Sequence, residues 1–404
     1  MFFRSLKTSR LNWCMIIKRL KSNKFQIDPK VLEQLDEGYA KLKSSNSKSL
    51  LKKHLTPEIF KALRTKTTKS STLLDCIQSG LVNHDSLCGV YAPDAEAYKV
   101  FSALFDPIIE EYHCGFKKTD KHPCSNFGNP CVFGDLDPFK NYIASTRIRC
   151  ARSIKGYPFL PRMSKQDYDD VEDIIHCTLS GMDMEYKGVV HYLYGMKKSI
   201  RSKLTKDHLL YKPDDRFLKA ANGCRFYPTG RSLYHNFDKT FLVWPNEKDH
   251  LRMISMQRGG NLTEVFSRLV RALNAMEGKI PFEHDYHLGY LTFCPTDLGS
   301  TIRASVHIRL PKLSSNKKKL EEIVKKYKLQ IRGTNGEHTD VEDGIYDISN
   351  KRRLGLTEYQ IVRGFGKAIS EIIRQEKAAK GNTISERKTS DKKVQIKKGN
   401  KQKS

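Results

Sequence analysis

The hydrophobic period of the chain changes near Tyr142, and this change limits the fold more than any other feature of the sequence. Before it, apolar residues such as Val31, Leu32, Leu35, Tyr39 and Leu42 recur at helical spacing. Thr56-Pro57-Glu58 offers an N-cap followed by proline at the first helical position. A run from Ser71 ends on Gly80, a candidate C-cap, and Ala92-Pro93-Asp94 opens an amphipathic stretch through Tyr112. After it, strand-like runs (142–152, 223–227, 240–245, 251–257, 289–294, 303–310 and 345–349) alternate with helical segments. Ser164-x-x-Asp167, Asn261-x-x-Glu264 and Thr357-x-x-Gln360 cap three of those segments. The last carries Ile361, Val362, Phe365, Ile369 and Ile372 on one face. These patterns predict an α+β protein: a small all-helical N-terminal domain, then a larger domain whose antiparallel sheet is flanked by helices.

The expected boundaries are a basic extension over 1–24, the helical domain over 25–113, a linker over 114–141, the α+β domain over 142–376 and a Lys-rich tail over 377–404. The linker is rich in Gly, Pro, Asn and Lys. The extension holds seven basic residues and no acid, and the tail holds ten basic residues against two acidic ones. The chain as a whole carries +27, which suits a polyanionic ligand. No specific nucleic-acid motif accompanies the charge. The extension is basic, contains serines and carries Phe, Leu, Trp and Ile between its cations, as mitochondrial presequences do, so a cytoplasmic and a mitochondrial location both stand open. The tail has the composition of a disordered segment. No apolar run approaches the ~20 residues of a membrane span. Ten cysteines over 404 residues do not make a disulfide scaffold and read as reduced thiols. His113, Cys114, His122, Cys124 and Cys131 cluster in sequence but do not follow zinc-site spacing, so no protein-held metal is expected.

Cys294-Pro295-Thr296-Asp297-Leu298-Gly299-Ser300 follows the apolar run Gly289–Phe293. Pro295 stops the ladder there, and Gly299 turns the chain toward a second run, Arg303–Leu310. Hydroxyls and an arginine stand close by, and positive neighbours favour a thiolate. Arg147 and Arg149 lie two apart on one strand, so both face the same way. The chain has neither GxxxxGK[ST] nor GxGxxG, so a phosphate ligand would have to be held by side chains.

The Cys294 stretch resembles the C-P-[ST]-N-[LI]-G-T signature of the phosphagen kinases, the ATP:guanidino phosphotransferases. Ser145–Arg149, Thr240–Arg252 and Arg332–Thr339 resemble three further blocks of the family, in the family's order, within a match from Asp28 to Lys377. The loop Val82–Tyr91 resembles the substrate loop of the arginine-specific branch, with Ser86, Gly89 and Tyr91 matching and Leu87 and Cys88 departing. The resemblance implies reversible transfer of the ATP γ-phosphoryl group to the guanidino group of L-arginine by a monomer. Mg²⁺ would enter with ATP or ADP, held through nucleotide and water. Arg147, Arg149, Arg252, Arg303 and Arg332 match phosphate-binding arginines, and His208 and His307 match nucleotide-flanking histidines. Glu337 matches a carboxylate that clamps the guanidinium, Cys294 a thiolate that touches it, and Glu247 a residue that supports Mg²⁺.

Outside the substrate loop four more positions depart from the pattern: Lys248 replaces the second clamping Glu, Asn335 an Arg, Asp297 an Asn and Ser300 a Thr. A lysine ~4 Å from a guanidinium costs about 4 kcal/mol at an effective dielectric near 20. Lys248 and Asn335 therefore raise an alternative, a catalytically weakened or inactive nucleotide-binding relative with a regulatory or interaction role.

Overall fold

The computed structural model describes residues 27–207, 209–210, 215–332 (at Arg332 the backbone alone) and 344–379. The basic extension, most of the Lys-rich tail, His208, Asn335 and Glu337 lie outside the described residues.

Among the described residues, helices α1 (Pro29–Ser44), α2 (Leu50–His54), α3 (Pro57–Leu63), α4 (Leu73–Val82), α5 (Ala97–Val100) and α6 (Ser102–Tyr112) come first. The starts of α1, α2 and α3 are set by side chains that take up otherwise unpaired amides. Asp28 accepts from Lys30 N, Ser49 from Lys52 N and Thr56 from Ile59 N. Gly80 is not a C-cap, because α4 runs on to Val82. A Cβ there would stand 2.4 Å from the Gly89 carbonyl oxygen, so Gly80 lets a loop lie against the helix.

The eight-stranded sheet contains β1 (Ile143–Arg152), β2 (Gly188–Tyr192), β3 (Ser232–Asn236), β4 (Phe241–Glu247), β5 (Asp249–Arg258), β8 (Arg303–Arg309), β9 (Leu329–Arg332) and β10 (Ile345–Asn350). Its order is β2-β3-β4-β5-β1-β8-β10-β9, antiparallel throughout. A separate two-stranded ribbon pairs β6 (His284–Asp285) with β7 (Gly289–Tyr290). One face of the large sheet packs on α7 (Lys165–Ser180), α8 (Leu262–Glu277) and α9 (Glu358–Ala378). Ile148, Met253, Val306 and Ile348 meet Val265, Leu269, Ile369 and Ile372 there, all fully buried. The three capping signals work as read, with reciprocal boxes at Ser164/Asp167 and Thr357/Gln360 and Asn261 accepting from Glu264 N.

Two expected strands differ. Residues 223–227 form turns, held by Gly223 N donating to Leu218 O and by Arg231 donating to the Gly223 and Arg225 carbonyls. The ladder expected over 289–294 ends at Tyr290. The backbone beyond it is taken up elsewhere: Phe293 N donates to Asp249 Oδ1, Ala92 N to Phe293 O, and the Tyr98 hydroxyl to Thr292 O. The helical domain, with the Asp249 side chain of β5, thus replaces a neighbouring strand as partner for this segment. Strands β2, β3 and β9 escaped the sequence reading. Strand β3 is buried at every position, polar Ser232, His235 and Asn236 included, so it carries no alternation to detect.

Candidate functional site

The sheet face away from the core gathers cations. Arg149 stands beside Ile254 on β5 and Arg303 on β8, Ala151 stands beside Arg252, and Ser145 beside His307. Directly paired residues point the same way, so Arg147, Arg149, Arg252, Arg303 and His307 share this face. Asp347 of β10 takes the register position between His307 and Arg332. Arg303 Nη2 lies 3.3 Å from Asp347 Oδ2 and 3.1 Å from Ser349 Oγ. Burial would raise the Asp347 pKa, but Arg303, Arg147, His307 and Arg149 together hold it below the usual carboxylate value. Burial pushes the Arg149 guanidinium well below its ordinary value, and the charges of Arg303, Arg147 and Arg252 add to that. A face where cations depress one another is stabilised by a multiply charged anion.

A second wall stands across from it. The loop Val82–Tyr91 is pinned to α2, with Leu50 N donating to Leu87 O at 3.0 Å and Leu51 N to Cys88 O at 2.9 Å. Gly89 takes φ +84°, a conformation side chains resist, and a Cβ there would lie 2.9 Å from Leu51 Cβ. Ser86 and Cys88 are buried while Leu87 is half exposed. Tyr91 stacks on Phe293 with ring centroids 4.7 Å apart, which joins the loop to the Cys294 segment. Cys294 is 5 % exposed, and its Sγ lies 3.0 Å from Thr296 Oγ1.

The turn between β4 and β5 completes this wall. Asn246 and Lys248 both have positive φ, +54° and +65°, so the turn is strained by roughly 1–2 kcal/mol per residue. Asn246 Nδ2 compensates by donating to the Tyr168 and Gly230 carbonyls at 2.9 and 2.7 Å. The turn aims Glu247 at Arg252 (2.6 Å), with Asp249 3.7 Å from the same guanidinium. Lys248 Nζ lies 2.8 Å from Asp297 Oδ2. Asp297 Oδ1 accepts from Arg353 Nη1, which also donates to Thr296 O at 2.6 Å.

Both walls border one cavity of about 1000 Å³, lined by Ser86, Leu87, Cys88, Tyr91, Glu247, Lys248 and Cys294 on one side and Arg149, Arg252 and Arg303 on the other. Gly89 shapes the loop without lining the cavity, and Arg147 and His307 lie farther along the cationic face. Glu247 Oε2, Asp249 Oδ2 and Asp297 Oδ2 are buried and accept no aligned hydrogen bond among the described residues, although each has a cation nearby. Such oxygens suit a hydrated divalent cation or a cationic ligand.

His113 and His122 are structural. His113 Nε2–H donates to Pro295 O at 2.9 Å, and His122 Nδ1 accepts from Gly355 N at 3.0 Å. Among the described residues no group of three His, Cys, Asp or Glu side chains could hold a metal ion. Nor is any described helix long and apolar enough to cross a membrane.

Sequence reasoning missed Arg353 and Asp347. Arg353 sits in the run Lys351-Arg352-Arg353, which reads as a solvated basic patch, and its partner Asp297 is 56 residues away. Asp347 alternates correctly in its strand, but the arginines it faces come from other strands.

Residues 45–110 match the model of the ATP:guanido phosphotransferase N-terminal domain, and residues 170–379 that of the C-terminal catalytic domain. The chain is 60% identical over 354 residues to arginine kinase 1 of Drosophila melanogaster, a match covering 87% of this chain and 99% of that one. It is 59% identical over 352 residues to arginine kinase of Schistocerca americana, with the same coverage. Among solved structures it resembles the duplicated taurocyamine kinase from Schistosoma mansoni with bound transition-state-analogue components (TM-score 0.81, 44% identity, 85% of this chain and 48% of that one). This chain therefore spans about half of that duplicated protein. Lombricine kinase aligns with a TM-score of 0.77 at 35% identity, covering 84% and 93% of the two chains.

Proposed function

Because the chain belongs to the ATP:guanido phosphotransferase family, we propose that it is an arginine kinase, transferring the γ-phosphoryl group of ATP reversibly to the guanidino group of L-arginine. The observation that carries the reading is the shared cavity, with an arginine face on one side and the Ser86–Tyr91 loop beside Cys294 on the other. In the forward direction a guanidino nitrogen forms the new N–P bond as the bond from the γ-phosphorus to the bridging oxygen breaks. ADP leaves with that electron pair, and the attacking nitrogen gives up a proton.

Arg147, Arg149, Arg252, Arg303 and Arg332 bind the phosphates, and His208 and His307 flank the nucleotide. Arginine suits this because its fork grips two phosphate oxygens at once. Mg²⁺, when bound with the nucleotide, neutralises phosphate charge. The buried oxygens of Glu247 and Asp249, which face Arg252 without an aligned hydrogen bond, fit a role in holding it through water. Cys294 and Glu337 align the guanidinium, and alignment between fixed walls accounts for most of the acceleration. Lys248, the feature that suggested an inactive relative, has its ammonium engaged by Asp297.

One chain supplies both walls, so a monomer suffices. The expected location is the cytoplasm, with import into mitochondria as the outcome that a reporter fused to residues 1–30 would reveal.

Coupled ATP-consumption assays with L-arginine, creatine, taurocyamine and lombricine test the reading. L-arginine is expected to give the highest kcat/KM. A higher value with any of the other three, or no turnover with any acceptor, overturns it.

A further inference from the structure

Lys248 projects from a strained turn into a cavity meant for a cationic acceptor, and only one carboxylate among the described residues lies within ion-pair distance of it. Glu247 and Asp249 are closest to Arg252 instead, at 2.6 and 3.7 Å. Asp249 Oδ1 is further occupied by Phe293 N. Asp297 meets the ammonium at 2.8 Å.

Asp297 is itself rigidly placed. It closes the short 3₁₀ turn Pro295–Asp297, its N–H donates to Cys294 O at 3.0 Å, and His113 holds Pro295 O from behind. Arg353, 4 % exposed in its side chain, binds the other carboxylate oxygen. The flexible partner is therefore Lys248, and the fixed one is Asp297.

We infer that Asp297 is a positioning and specificity-determining residue of the acceptor corner. Its carboxylate anchors the Lys248 ammonium against the Cys294 loop and cancels its charge, so that a guanidinium can enter. This rests on the guanidino-acceptor reading above. Lys248 and Asp297 then act as one unit: each departs from the family pattern, and each makes the other tolerable. Removing the anion alone leaves a lysine free to face the acceptor, whereas removing both charges leaves a neutral corner.

The test is a double-mutant cycle of the full chain, the Lys248→Gln, Asp297→Asn and combined variants, read in KM for L-arginine, in L-arginine binding by calorimetry and in MgADP affinity. Asp297→Asn alone also releases Arg353, but that effect is common to both arms and cancels. With Lys248 present, Asp297→Asn is expected to raise KM and Kd for L-arginine at least tenfold. In the Lys248→Gln background the same change is expected to move them less than threefold. MgADP affinity is expected to stay within twofold in all four proteins, and Asp297→Glu to recover most of the arginine affinity.

Turnover with independent effects of the two substitutions overturns the pair and leaves the kinase reading standing. Coupled arginine binding with no turnover in any variant overturns the kinase reading and supports the pair. Neither binding nor turnover overturns both.

Discussion

The two walls of the cavity are built by different means. The cationic wall is one face of three adjacent strands, β5, β1 and β8, and its residues are placed by strand period and register. The acceptor wall is assembled from a loop on α2, the β4–β5 turn and the Cys294 segment, which come from separate parts of the chain. The cationic wall has a sheet beneath it and needs little else. The acceptor wall depends on single hydrogen bonds and on one aromatic stack, so it is the weaker of the two and the place where specificity can change.

Acid is expected to separate the walls most strongly. His113 holds the Pro295 carbonyl behind the Cys294 segment, and His250 ties β5 to the Ile154–Pro158 segment. His250 Nδ1 accepts from Ile154 N at 2.9 Å and Nε2–H donates to Pro158 O at 3.0 Å, so a second ring proton would break the first of these bonds. Burial pushes the His113 imidazole down to about 3 and that of His250 to about 4. The unfolded chain takes up these protons near pH 6.5 and the folded one does not. Stability is therefore complete above pH ~6.5 and falls by roughly 1.4 kcal/mol per pH unit for each group as the pH drops toward the folded values. Denaturant melts from pH 7 to pH 5 check this, and His250→Gln is expected to reduce the slope. An unchanged slope in that variant would remove His250 from the account.

Phe293→Ala strikes the joint between loop and sheet. The ring is fully buried and stacks on Tyr91. The expected loss is about 3–5 kcal/mol of stability, and KM for L-arginine should rise with MgADP affinity little changed in the folded fraction.

Arg149→Ala is the converse. Burial and its arginine neighbours already disfavour its charge, so little stability should be lost. MgADP binding should weaken by ~1.5–3 kcal/mol, the range for hydrogen bonds to charged groups, as calorimetry would read. A change in arginine KM larger than that in nucleotide affinity would break the division into two walls.

The smallest effect is expected from Gly89→Ala. It places a Cβ at φ +84° and 2.9 Å from Leu51 Cβ, costing about 1–2 kcal/mol. It should shift KM for L-arginine with the nucleotide site untouched.

The cationic wall was legible in the sequence because its information is local. Arg147-x-Arg149 fixes two cations on one face of a strand whatever lies beside it, and Thr56, Ser164, Asn261 and Thr357 announce helix starts within four residues. Lys248 illustrates the opposite case. From the sequence it is a cation in an acceptor site, and its neighbours 247 and 249 are the carboxylates one would pair with it. Those two face Arg252, and the one that meets Lys248 stands 49 positions away in the chain.

The sequence by itself determined the α+β architecture, the family and the shared face of Arg147 and Arg149, since period, caps and side-chain chemistry act over a few residues. Only the tertiary structure decided what Lys248 means, how Asp297 and Arg353 share one carboxylate, and why the run into Cys294 leaves its ladder for the helical domain. The physical reason is that the field at an ionic group depends on charges brought within a few ångströms by folding, and separation along the chain carries no record of that distance.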